Sequence, residues 1–133
     1  MKYICFGYYD KRKFDSMTES DRNAMFDACF EYDDHLRAHG HWAGGEALQS
    51  RETAVTVSWM NGKVATTDGP FAETKEQLGG ILILEVQDMN HAIQLMGQHP
   101  AIKYGNTFEI RPVGDLSEAM KASEQRRRVF ASR

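Results

Sequence analysis

The sequence lacks most of the features that would assign a chemistry directly. It has two cysteines, Cys5 and Cys29, each inside an apolar pattern with no second pair nearby. That excludes a disulfide scaffold or zinc knuckle and fits buried free thiols in a reducing compartment. No stretch approaches the ~20 apolar residues that a membrane span requires. The start shows no basic segment followed by a long apolar run, so no secretory leader is expected and a cytoplasmic protein is. A phosphate-binding glycine loop, a nucleophile elbow and a dinucleotide fingerprint are all missing. Clustered basic residues are scarce too. The formal charge is −3 over 133 residues, which offers no footprint for nucleic acid. The exception is residues 115–133, where five basic side chains stand against three acidic ones.

What is present reads as one globular α+β domain. A chain of 133 residues with 41% hydrophobic and 26% charged residues has room for one core and is not composed for disorder. Residues 2–9 are aromatic and β-branched, which predicts a first strand. N-cap candidates at 18–21 precede Met25, Cys29, Tyr32 and Leu36, one helical stripe with Phe26 and Phe30 beside it. Gly40 is placed to stop that helix. Residues 41–48 predict a short strand. Val55, Val57 and Trp59 then alternate with polar residues, Asn61-Gly62 intervenes, and residues 64–67 return, which is a hairpin signal. Residues 79–86 are apolar on both faces, as in a central strand covered on each side. Asp88 caps a helix carrying Met89, Ala92, Ile93 and Met96, with Pro100 expected to end it. A last strand is predicted over 106–113, with Phe108 and Ile110 on one face.

This order describes a ferredoxin-like sandwich with an added β-hairpin. Its open sheet face calls for a second copy, so a homodimer packed sheet to sheet is expected. The domain is assigned to residues 1–114, and residues 115–133 to a helical or flexible basic tail.

Candidate chemistry gathers around Asp68-Gly69-Pro70-Phe71. Asp68 has two readings: a residue that forms the turn through its own backbone, or a carboxylate at a strand end acting as general acid–base. Glu73, Lys75 and Glu76 follow as either a solvated loop or a polar rim that binds ligand. Phe71, Trp42 and Trp59 are core residues or a platform for a ligand. His35, His39 and His41 are spaced HxxxHxH, which fits no strong zinc signature, so no metal or other cofactor is expected.

The run Asp68-Gly-Pro-Phe-Ala-Glu-Thr-Lys-Glu-Gln-Leu-Gly-Gly80 resembles the signature of the DGPF family, a branch of the YCII-related proteins. Gly44-Gly45-Glu46-Ala47-Leu48 and Arg111-Pro112-Val113 are similar to flanking segments of that family. The resemblance implies a dimeric α/β-barrel of ferredoxin-like subunits. It also implies an acid–base pair: an aspartate before a Gly-Pro-like turn, matched by Asp68, and a histidine on the first helix. The histidine's place falls near Cys29, which leaves His39 or His41 as replacements. Two functions follow. The first is a cofactor-free enzyme acting on a small polar molecule through Asp68. The second is a ligand-binding or regulatory module, which the resemblance links to an extracytoplasmic-function sigma factor.

Overall fold

The computed structural model describes residues 1–132. Its central strand is β1 (Lys2–Tyr9), flanked by β5 (Gln77–Glu85) and β6 (Thr107–Pro112), with β2 (Trp42–Ala47) outside β5. All three pairings are antiparallel, and the order β2–β5–β1–β6 is that of a ferredoxin-like α+β sandwich. Alternation along the strands decides the layers. Tyr3 and Cys5 of β1 and Leu82 and Leu84 of β5 are buried and join Leu36, Ala92 and Met96 in one core cluster. These last three come from α2 (Glu19–Ala38) and α3 (Met89–Gly97), so both helices cover the same face. Each fully buried aliphatic side chain there contributes roughly 1.5–3 kcal/mol of transfer free energy.

The helix boundaries follow capping chemistry. The Thr18 hydroxyl accepts from the Asp21 N–H and opens α2, which stops before Gly40 in the left-handed region at φ 75°. The Asp88 carboxylate accepts from the His91 N–H and opens α3. Two features depart from the expectation. A short helix, α1 (Lys11–Ser16), follows β1, capped by the Asp10 carboxylate on the Arg12 and Lys13 N–H groups. Pro100 does not end α3, which stops at Gly97; it opens a 3₁₀ turn, Pro100–Ile102. Proline suits the first position of such a turn, because its missing N–H has no partner there.

The hairpin is a ribbon of its own. Among the described residues β3 (Val55–Met60) and β4 (Lys63–Asp68) pair only with each other, around Asn61 at φ 53° and Gly62 at φ 78°. Both positive angles are those of a type I′ turn, whose twist matches that of the strands it joins. Val57, Trp59 and Val64 on this ribbon remain well exposed. So do Leu116, Met120 and Phe130, in and just before the final helix α4 (Ser117–Ala131). β5 is covered on one face only: Leu82 and Leu84 are buried, while Ile81 and Ile83 are half-buried. Among the described residues no helix is long and apolar enough to cross a membrane.

Candidate functional site

A cavity of about 670 Å³ lies between α2 and the helix-facing side of the sheet. Its floor is main chain. Gly7 stands opposite both Gly80 and Phe108, Gly80 opposite Ala47, and Gly45 opposite Leu82. Side chains are excluded there by contact. A Cβ on Gly80 would sit 2.8 Å from the Glu46 carbonyl oxygen, and one on Gly45 would sit 2.8 Å from the Trp42 ring. One on Gly79 would come within 2.7 Å of the Tyr9 ring. Glycine at these positions lets aromatic rings lie against the sheet, and Tyr9, Trp42 and Phe108 wall the cavity.

The other side is the second stripe of α2. Phe26, Phe30, Asp33 and Arg37 all line the cavity and follow one another at helical spacing. Phe26 and Phe30 stack with their ring centres 5.8 Å apart. The Arg37 guanidinium lies over the Trp42 ring, 4.2 Å from its centre, and its Nη1 donates to Asp34 at 2.8 Å.

A second carboxylate hydrogen bond at the wall joins Asp33 to His99. His99 is 6% exposed and caps the 3₁₀ turn, its Nδ1 accepting from the Ala101 N–H at 3.2 Å. An accepting Nδ1 places the ring proton on Nε2. That Nε2 lies 3.1 Å from Asp33 Oδ1 and so donates to it. The imidazole is held edge-on against Tyr32, at 5.2 Å between ring centres, and tilted against Phe108, also at 5.2 Å. Tyr32 is itself fixed by donating its hydroxyl to the Leu95 carbonyl. Both nitrogens of His99 are therefore occupied, while Oδ2 of Asp33 takes no protein hydrogen bond among the described residues. Burial first, and then the Asp33 charge, push the Cys29 thiol and the Tyr32 phenol upward, so both stay protonated and neither is an anionic nucleophile.

The residues singled out in the sequence are dispersed. Trp42 lines this cavity. Asp68 is exposed at the end of β4, opposite Val55. Next to it Gly69 donates to the Ala54 carbonyl at 2.7 Å and accepts from the Thr56 hydroxyl at 2.8 Å, so the turn ties off the base of the ribbon. Phe71 is 93% exposed. Glu73 and Lys75 border a separate shallow cleft with Arg51 and Glu52, and Glu76 is half-buried beside it. His39 lies tilted against His35, ring centres 4.1 Å apart, and its Nδ1 meets the His35 carbonyl. His41 pairs its Nδ1 with the Glu85 carbonyl and turns toward His91. Neither His39 nor His41 lines the cavity, and His35, His39 and His41 do not converge. Among the described residues no group of three or more His, Cys, Asp and Glu is placed to hold a metal ion. Asp33 and His99 are the pair that sequence reading missed. The available signals were an acid continuing the Phe26/Phe30 stripe and a histidine directly before Pro100.

No curated protein matches the chain. Among solved structures it resembles 5-chloro-2-hydroxyhydroquinone dehydrochlorinase from Burkholderia phenoliruptrix in complex with 2,5-dihydroxybenzoquinone. The TM-score is 0.50 at 14% identity, over 86% of this chain and 94% of that one, a likeness of fold. The YCII-related domain pattern matches residues 1–117, which include all six strands, α1, α2 and α3, and so every residue that lines the cavity. The chain therefore belongs to the YCII-related domain family.

Proposed function

We propose that the chain is an enzyme that moves a proton on a small molecule bound in the α2 cavity, with Asp33 as the acid–base group. The observation that carries this reading is the 3.1 Å hydrogen bond from His99 to Asp33 at the cavity wall. His99 is the positioning residue: its Nδ1 is committed to Ala101, so it holds one carboxylate oxygen and leaves the other for a substrate proton. The role that the sequence gives to Asp68 passes to Asp33, and Asp68 serves the turn. The dehydrochlorinase of similar fold is an enzyme holding a small ring compound. That likeness supports a small-molecule substrate without naming one.

Proton exchange tests the reading without a known substrate. In D2O, NMR of pyruvate, acetoacetate and phenylpyruvate should show C–H exchange accelerated by the protein for at least one of them. Asp33→Asn should remove about 10²–10⁴-fold of that acceleration. Full exchange in that variant would dismiss Asp33, and a panel with no acceleration would leave a non-catalytic binding cavity.

We also infer a homodimer. Ile4 and Phe6 of β1 stand opposite Ile83 and Ile81 of β5, on the sheet face away from α2 and α3. That face, and separately the exposed Val57, Trp59 and Val64 of the ribbon, are apolar surface that a second copy would bury.

A further inference from the structure

We propose that the cavity binds a planar aromatic ring carrying an anionic group and, across the ring, a hydroxyl. The inference rests on the same cavity as the proposed function but not on its proton transfer. Three observations lead to it. The sheet side carries no side chain at Gly7, Gly80 and Gly45: the Phe108 ring lies close over Gly7, the Trp42 ring over Gly45, and the Glu46 carbonyl crowds Gly80. The walls are the rings of Tyr9, Trp42 and Phe108, with Phe26 and Phe30 on the helix side. Peptide planes and ring faces make flat contact with a flat ligand. A puckered ring meets them only at its projecting hydrogens, so the surface discriminates by shape.

The third observation is the charge pattern. Arg37 and Asp33 lie on the same stripe of α2, one turn and about 6 Å apart along the axis. That backbone spacing is on the scale of the span between para substituents on benzene. Only Nη1 of Arg37 is taken up, by Asp34, and the guanidinium keeps further donors for a carboxylate or phenolate. Asp33, with Oδ2 uncommitted, takes the hydrogen of a hydroxyl at the other end.

Calorimetric titration of the intact chain with 4-hydroxybenzoate and with trans-4-hydroxycyclohexanecarboxylate tests this, because both carry the same groups and only one is flat. The aromatic acid should bind about tenfold more tightly or better, and Arg37→Gln should weaken it by roughly tenfold or more. Ala47→Leu, which raises a branched side chain from the floor, should abolish the preference for the flat ring. Equal affinity for the two acids, or no binding of 4-hydroxybenzoate, would overturn the inference. Binding of the flat acid in a protein that exchanges no protons would uphold it and remove the proton-transfer reading. Proton exchange with no preference for the flat acid would do the reverse.

Discussion

Asp33 and His99 stand 66 residues apart in the chain and meet through a single 3.1 Å hydrogen bond between α2 and the 3₁₀ turn. Neither is held by its partner alone. Asp33 is carried on a helix whose adjacent stripe is in the core. His99 is fixed by the Ala101 N–H and by the rings of Tyr32 and Phe108. The pair therefore ties α2 to the end of α3 while presenting a carboxylate to the cavity.

A mutant cycle measures that tie. Asp33→Asn and His99→Gln should each destabilise the fold by about 1–3 kcal/mol in urea unfolding, because each leaves a partly buried polar partner poorly matched. The double variant should lose less than the sum of the two. Strict additivity would mean that the two side chains do not interact in solution.

The glycine floor makes a second prediction. At Gly80 the obstructing atom is the main-chain carbonyl of Glu46, so an added methyl has to move β2 away from β5. Gly80→Ala should cost about 1–3 kcal/mol of stability. Gly97→Ala is the control, since nothing lies within 4 Å of the added carbon and the position is helical. Replacing glycine by alanine there should stabilise the protein by up to about 1 kcal/mol. Equal effects at the two sites would contradict the packing described.

Thiol chemistry gives a third. Burial pushes Cys5 from its ordinary 9.0 to about 12. Because the folded value is the higher one, its contribution to stability is complete below pH 9 and is lost as the pH rises through about 12. Cys5→Ala should therefore show a shallower loss of stability between those limits than the parent chain. At neutral pH a thiol reagent should label the half-buried Cys29 slowly and Cys5 only on unfolding.

Assembly is the fourth. Sedimentation should give twice the monomer mass, and Ile83→Lys, with its charge on the sheet face away from α2, should yield a monomer with native far-ultraviolet circular dichroism. A parent chain that sediments as a monomer would end the dimer reading.

The sequence by itself carried the local decisions. The Thr18 and Asp88 caps, the Asn61-Gly62 turn and the two-fold alternation of β1 are choices that each segment makes from its own residues, and the structure keeps them. From those elements the ferredoxin-like order was legible, because few arrangements of two helices and four antiparallel strands bury both apolar stripes. The Asp68 run was legible as a motif for the same reason, since it is contiguous. Its place at the base of a separate ribbon was not. Tertiary structure alone decided where the polar groups converge. It turned His39 onto the His35 carbonyl and His41 onto the Glu85 carbonyl, left Asp68 exposed, and joined Asp33 to His99 across two elements. No periodicity encodes such a pair, because the contact depends on how α2 and the 3₁₀ turn pack on the sheet. The glycines show both levels at once. In sequence, Gly44-Gly45 and Gly79-Gly80 are parts of two predicted strands. Only their pairing through Leu82 and Ala47, under the rings of Trp42 and Tyr9, makes them the floor of a cavity.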